Sequence, residues 1–229
     1  MPLVYLSPSN QNYNRYICGD TDEAVQMRRI AMKIAEGLHT YGCAAHLAGE
    51  TLTMEQRIEE ANRIRADCYL SLHSSAGGGE GIEGLFAPQK EGSKDLCELL
   101  YHELQQVAPR PGRGVKDGMQ AYGGLGYAEL RLVRVRPVML RVGFHDRPED
   151  AGWICGHTAD IASALATGLL KYWSGRDEST ERKNETHSED QEYYRLYIQY
   201  GIYPDVESAV RASAQMGELG FRRLMLFGQ

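Results

Sequence analysis

The positions of the apolar residues predict strands that alternate with helices along the first three quarters of the chain. Short apolar runs typical of buried strands lie at 3–6, 44–48, 68–76, 84–88 and 137–144. Between and after these runs the apolar residues recur at the helical spacing of three and four, which predicts four helices. Their apolar positions are, in chain order, Met27, Ile30, Ile34 and Leu38; Met54, Ile58 and Ile64; Leu96, Leu100 and Leu104; and Ile161, Leu165 and Leu169.

This alternation favours an α/β fold with an open, mostly parallel, twisted sheet and helices on both faces, because helical crossovers join parallel strands. We expect that domain to span residues 1–174, with a long irregular stretch at 109–127 that is rich in Gly, Pro and Arg. Residues 175–192 hold almost no apolar side chains and mix charges of both signs, which predicts a solvated linker. A small βαβ appendage is predicted at 193–229.

Composition excludes several classes of function. A net charge of −6 and a pI near 5.7 provide no field that attracts nucleic acid. No apolar run approaches the roughly 20 residues that a membrane span requires. The five cysteines form no CxxC pair, and the N-terminus lacks the features of a signal peptide. We therefore expect free thiols and synthesis in the cytoplasm.

Two residues suggest chemistry at one edge of the predicted sheet. His73 lies near the end of the run at 68–76, just before Gly77, and Glu23 opens the first helix. Ligands bind at the carboxyl ends of the strands in such sheets, and one histidine with one carboxylate is part of a hydrolytic zinc site. Each residue also has a structural explanation, since a helix dipole favours Glu23 and a core partner can satisfy His73.

Three ordered segments carry a resemblance to the zinc-dependent N-acetylmuramoyl-L-alanine amidases that cleave bacterial cell wall. They are ThrAspGlu at 21–23, SerLeuHisSerSerAla at 71–76, and the strand and helix at 137–154. The resemblance implies that Glu23 and His73 are zinc ligands. It also implies that peptidoglycan or a muropeptide is cleaved between muramic acid and L-alanine. Without a visible signal peptide, such a protein would reach the wall by phage-type release, as an endolysin does.

The chain departs from this family at the third metal ligand. The family places a histidine after the first strand, where this sequence has Asn10 in SerProSerAsn. An amide is a poor zinc ligand beside imidazole. Other histidines remain candidates, and His145 is the best placed of them, although an exposed turn is an alternative interpretation. The full set is His39, His46, His102, His145 and His157.

The second departure concerns the general base. The family has a glutamate in the closing strand where this chain has Arg141, and a guanidinium cannot accept a proton. We expect Arg141 to pair with Glu23 or Glu129 and to fill part of the zinc's space. Glu129 is the one candidate for a substitute base, although a surface pair with Arg131 or Arg134 would also explain it.

Arg134 and Arg136 add positive charge and are predicted to bind the carboxylates of the stem peptide. The piece at 193–229 resembles half of a sporulation-related repeat (SPOR) domain, which binds glycan strands, and it provides a possible homodimer contact. Two functions follow from the resemblance. One is a zinc-dependent amidase, and the alternative is a catalytically impaired homologue that binds peptidoglycan or muropeptides without cleaving them.

Overall fold

A computed structural model describes residues 2–184 of the protein, with side chains as far as residue 175. The strands are β1 (Leu3–Pro8), β2 (Ala44–Leu47), β3 (Cys68–Ser75), β4 (Glu83–Phe86), β5 (Val115–Asp117) and β6 (Arg136–Phe144). The helices are α1 (Glu23–Thr40), α2 (Met54–Arg63), α3 (Ser93–Val107), α4 (Ala121–Gly124), α5 (Ala128–Arg131), α6 (Pro148–Gly156) and α7 (Thr158–Asn184). The predicted appendage at 193–229 lies outside the described residues.

The six strands form one sheet in the order β2-β1-β3-β6-β4-β5. All neighbouring pairs run parallel except β4 and β6, which pair antiparallel. The predicted fold class, a mostly parallel sheet with helices, is confirmed. The reversal of β4 has a consequence for the site, because it brings the first residue of β4, Glu83, beside Arg141 near the end of β6.

Alternate residues along the strands supply two cores on opposite faces of the sheet. On one face Leu6, Leu70 and Leu140 pack with apolar residues of α1, α3 and α7. On the other face Tyr5 and Tyr69 pack with residues of α2 and with Val133, while a smaller cluster joins Met139 to Leu130 of α5. Burial on both faces explains why the strands read as nearly continuous apolar runs.

Capping residues fix where the first two helices begin. The Asp22 side chain accepts a hydrogen bond from the backbone N–H of Val25 at 3.0 Å, so α1 starts at Glu23. Thr53 and Gln56 form a reciprocal capping box at the start of α2. Because the Glu23 carboxylate accepts a hydrogen bond from the backbone N–H of Ser74 near the end of β3, the start of α1 lies at the carboxyl edge of the sheet.

Two stretches differ from the sequence prediction. The stretch at 109–127 contains strand β5, a 3₁₀ turn at Gly118–Gln120 and the short helix α4. Helix α7 continues to Asn184 and so includes the first residues of the predicted linker. A polar composition favours a solvated segment, but it does not prevent a helix from continuing. No helix in the part of the chain that the structure covers is long and apolar enough to cross a bilayer.

Leu140→Ala tests the importance of the buried centre of β6. Leu140 is fully buried, so its truncation should lower the free energy of unfolding by roughly 2–5 kcal/mol. Leu132→Ala is the matched control, because that side chain is 45% exposed and its loss should cost less than about 1 kcal/mol. Urea denaturation of both variants measures the difference. Equal losses would contradict this description of the core.

Candidate active site

The centre of the site is a histidine held between two carboxylates. His73, on β3, places Nδ1 3.0 Å from Oε1 of Glu23 and Nε2 3.1 Å from Oε2 of Glu129. The side chains of Glu23 and Glu129 are 1% and 8% exposed, and that of His73 is 17% exposed. The structure therefore joins the first residue of α1, the end of β3 and the short helix α5 through one imidazole ring.

The Glu23 carboxylate accepts hydrogen bonds from three sides. Beside His73, Oε1 accepts from the backbone N–H of Ser74 at 3.2 Å. The other oxygen, Oε2, accepts from Nδ2 of Asn14 at 2.5 Å. The segment before α1 is fixed in the same place, because the backbone N–H of Glu23 donates to the carbonyl of Asn14 at 3.0 Å. Glu23 is therefore held rigidly, with both of its oxygens engaged.

Glu129 is buried and is surrounded by hydroxyl groups. Oε1 accepts from Ser7 at 3.0 Å and from Tyr69 at 2.7 Å, while Oε2 accepts from Ser71 at 2.9 Å as well as facing His73. A carboxylate offers about four lone-pair positions, and these four partners occupy them. The alternative of a surface pair with Arg131 or Arg134 is wrong, because neither arginine contacts this buried side chain.

The two carboxylates keep the His73 imidazole protonated near neutral pH. Burial alone would lower the pKa of His73, but the hydrogen bonds to Glu129 and Glu23 outweigh burial and raise it to about 9. Burial alone would likewise raise the pKa of Glu129, yet His73, Tyr69 and Ser71 lower it to about 2. The pKa of Glu23 is lowered against the effect of its burial, mainly by the hydrogen bond from His73.

Arg141 lies beside His73 in register but does not contact Glu23 or Glu129, so the expected pairing is wrong. Its guanidinium donates to Oε2 of Glu83 at 2.9 Å and to the hydroxyl of Tyr127. Glu83 is also approached by Lys116 at 2.5 Å and by Arg113 at 3.4 Å. The antiparallel strand β4 thus supplies the partner of Arg141.

The remaining predicted residues lie away from the His73 ring. Asn10 is exposed and donates to the carbonyl of Leu52 at 3.3 Å. Arg136 pairs in register with Cys68, which lies five residues before His73 on β3. Five residues of a strand span roughly 16 Å, so Arg136 is far from the His73 ring. Arg134 and Arg136 instead line a cavity of about 430 Å³ at the opposite end of the sheet.

The candidate third ligands do not converge on His73 either. His145 is buried, not exposed in a turn, and its Nδ1 lies 2.9 Å from Oγ of Ser74 while its ring stacks on Tyr16. His46 faces Glu60 and His157 faces Asp160. His39 and His102 are exposed on α1 and α3.

These residues do not fit a catalytic zinc site. Such a site needs three protein ligands around an open position, and residues 2–184 contain no group of three His, Cys, Asp or Glu side chains that could hold a metal. Both ring nitrogens of His73 face carboxylate oxygens, at 3.0 and 3.1 Å, so neither nitrogen is open to a cation in this arrangement. Glu23 and His73, the two ligands that the family resemblance implies, lie together, but the predicted third position, Asn10, lies away from them.

Several residues of the site gave no signal in the sequence. Glu83 and Asn14 belong to segments without a recognised motif. Only the three-dimensional structure brings Glu83 to Arg141 and Asn14 to Glu23. Ser7 near the end of β1 and Ser71 in the middle of β3 pair in register and interrupt apolar runs on the same face of the sheet. A buried polar group inside a strand needs a partner, so that interruption was the available signal for a buried acid.

Comparison with known proteins places these residues in a family context. Residues 11–171 match a family described as N-acetylmuramoyl-L-alanine amidase. The chain is 28% identical over 129 residues to the N-acetylmuramoyl-L-alanine amidase CwlM of Bacillus licheniformis, which covers 53% of this chain and 47% of that protein. It is 26% identical over 160 residues to the sporulation-specific N-acetylmuramoyl-L-alanine amidase of Bacillus subtilis (strain 168), covering 66% and 59%. The chain thus spans about half of the length of the curated relatives it matches.

Solved structures agree on the fold. An N-acetylmuramoyl-L-alanine amidase from Clostridium difficile 630 superposes with a TM-score of 0.67 at 19% identity, covering 76% of this chain and 98% of that one. The amidase AmiC2 of Nostoc punctiforme gives a TM-score of 0.65 at 19% identity, covering 76% and 97%. At these identities the likeness concerns the fold alone.

The stability of the protein should decline at alkaline pH through His73. The pKa of this residue is raised from about 6.5 to about 9, so its stabilising contribution is complete below pH 6.5 and is lost as the pH rises through 9. Urea denaturation between pH 6 and 10 should reveal a loss of roughly 3 kcal/mol from this group. His73→Gln should remove that component, whereas His157→Gln, which changes an exposed pair with Asp160, should follow the wild type. An identical pH profile for His73→Gln and the wild type would contradict the assignment.

Proposed function

Because the chain belongs to the N-acetylmuramoyl-L-alanine amidase family, we propose that it is an amidase-like peptidoglycan hydrolase. The bond to be cleaved is the amide between N-acetylmuramic acid and L-alanine. One observation carries this proposal: Glu23, His73 and Glu129 converge at the carboxyl edge of the sheet, where open α/β sheets bind their ligands. Peptidoglycan is the substrate of amidases, and the two family positions Glu23 and His73 are retained.

The three side chains divide the acid–base work unequally. His73 holds a proton on each ring nitrogen and is the proton donor of the site, suited to a leaving amine. Glu129 has all its acceptor positions occupied by Ser7, Tyr69, Ser71 and His73, so it has no position left for a water. We therefore assign Glu129 as a positioning residue that orients and charges His73, rather than as the substitute base.

The family is generally zinc-dependent, and zinc would supply a polarised carbonyl and a nucleophilic hydroxide. For this chain we propose at most weak zinc binding, through Glu23 and His73. Its support is the position of Asn10, whose amide faces Leu52 rather than Glu23, together with the occupied nitrogens of His73. No catalytic step is assigned to zinc.

A second function is favoured by a specific observation. Arg141 occupies the position of the family's general base and is engaged with Glu83 and Tyr127, so it cannot accept a proton. The closed hydrogen-bonding around Glu129 also leaves that carboxylate without a free acceptor position. This supports a catalytically impaired homologue that binds peptidoglycan or muropeptides at the same edge of the sheet without cleaving them.

The C-terminal piece at 193–229 belongs to the proposal on sequence grounds alone. Its segments at 197–203 and 220–221 resemble half of a SPOR domain. We propose that it adds affinity for glycan strands and provides the contact for a homodimer, since half of a sheet leaves an unpaired edge.

Release of amines from purified cell wall tests hydrolysis. Cleavage of the muramoyl–alanine bond frees one α-amine for each bond, and His73→Ala should reduce that release by about 100-fold or more. His157→Ala, an exposed histidine with a similar acidic neighbour, should leave it unchanged. Glu129→Gln should move the pH profile to lower pH, because it removes a charge that raises the pKa of His73. Sedimentation of the protein with wall and no amine release, even with added zinc, would favour the binding function.

Metal analysis tests the proposal about zinc. Protein purified without chelator should contain well below one zinc per chain, and dialysis should remove it, because only two ligands are available. Glu23→Gln should lower the remaining zinc further, while Asn10→Ala should leave it unchanged. A stoichiometric zinc that survives dialysis would contradict the ligand assignment, whatever the activity of the protein.

A further inference from the structure

Two of the five cysteines lie against each other on the surface beside the site. Cys18 belongs to the segment between β1 and α1, and Cys155 belongs to the last turn of α6. Their sulfur atoms are 3.5 Å apart, and both side chains are partly exposed. The other cysteines, Cys43, Cys68 and Cys97, are buried. Only this pair combines proximity with access for a small reagent among the described cysteines.

Neighbouring contacts hold the two thiols together independently of the sulfur atoms. The backbone N–H of Ile17 donates to the carbonyl of His145 at 2.9 Å. The ring of Tyr16 stacks on the ring of His145, with centroids 5.7 Å apart. His145 comes shortly before α6, so these contacts fix the segment of Cys18 against the element that carries Cys155. The proximity is therefore a property of the backbone and its packing.

We propose that Cys18 and Cys155 form an oxidation site, which a low-molecular-weight disulfide such as glutathione disulfide converts to an intramolecular bridge. A disulfide bond is about 2.05 Å long, so the sulfur atoms must approach by roughly 1.5 Å. Rotation of two partly exposed side chains can supply a movement of that size. The established family activity makes no use of either thiol.

The reaction proceeds by two thiol–disulfide exchanges. The Cys18 thiolate attacks glutathione disulfide, which forms a mixed disulfide and releases one glutathione thiolate. The Cys155 thiolate then attacks the Cys18 sulfur and releases the second glutathione. Two protein thiols are oxidised, one glutathione disulfide is reduced to two glutathiones, and the protons pass to the glutathione thiolates. Burial and the neighbouring Cys18 raise the pKa of Cys155 to about 12, which supports Cys18 as the first nucleophile.

The bridge would fasten the segment that positions Glu23. That segment also contains Asn14, which donates to the Glu23 carboxylate, and Asp22, which caps α1. A covalent link to α6 restricts the same segment in the unfolded chain and closes a very long loop. We therefore expect the oxidised protein to be more stable and its segment at 11–22 to exchange amide hydrogens more slowly.

Oxidation of the full chain with glutathione disulfide tests the proposal. The number of thiols titrated in denaturant should fall from five to three, with a mass loss of two hydrogen atoms and a peptide linking Cys18 to Cys155. The thermal midpoint should rise by roughly 5–15 °C and return after reduction. Cys18→Ser and Cys155→Ser should show neither the bridge nor the rise, whereas Cys97→Ser should retain both changes.

Each remaining outcome overturns the proposal. Five thiols after oxidation would show that the pair does not react. A persistent glutathione adduct on Cys18, or a bridge between two chains, would show that Cys155 cannot reach it. A bridge that forms without any rise in the thermal midpoint would overturn the inferred fastening of the segment before α1.

Discussion

The candidate site depends on one buried ion pair network, in which the His73 ring joins the carboxylates of Glu23 and Glu129. Each carboxylate is almost fully buried, and a buried charge is strongly destabilising unless it is paired and hydrogen-bonded. His73 supplies that pairing to both acids at once. The first turn of α1, the end of β3 and the short helix α5 are thereby held at the same edge of the sheet.

Most of the fold could be predicted from the sequence, because the apolar pattern marks buried elements directly. The helical spacing of the apolar residues in α1 and α2 is a local property, and it predicted those two helices correctly. Strand β5 was missed because three residues in a Gly-rich stretch carry no periodicity. The antiparallel direction of β4 was missed because direction depends on the connection in space, which the pattern along the chain does not encode.

The contrast between local pattern and arrangement in space also explains which residues of the site could be predicted. Glu23 and His73 could be predicted to meet because each lies next to the carboxyl end of a strand in a mostly parallel sheet. Glu129 approaches from a four-residue helix on one face, so its burial could not be derived from spacing. The pairing of Arg141 with Glu83 follows from the reversed strand β4, and for that reason Glu23 and Glu129 were the wrong partners.

Family membership rests on the matched residues 11–171, and it agrees with the fold. It adds neither a third metal ligand nor a further proton acceptor to the described residues around His73.

The protonation state of the His73 ring at neutral pH is the property that decides whether this network exists. Nitrogen-15 NMR of the imidazole, assigned with His73→Gln, distinguishes an imidazolium from either neutral tautomer and from a metal-bound ring. We expect both ring nitrogens to carry protons in the metal-free protein, and equimolar zinc to leave the two resonances in place because any binding through His73 is weak. A neutral ring with one nitrogen free of hydrogen, or resonances shifted by equimolar zinc, would contradict the charged bridge between Glu23 and Glu129.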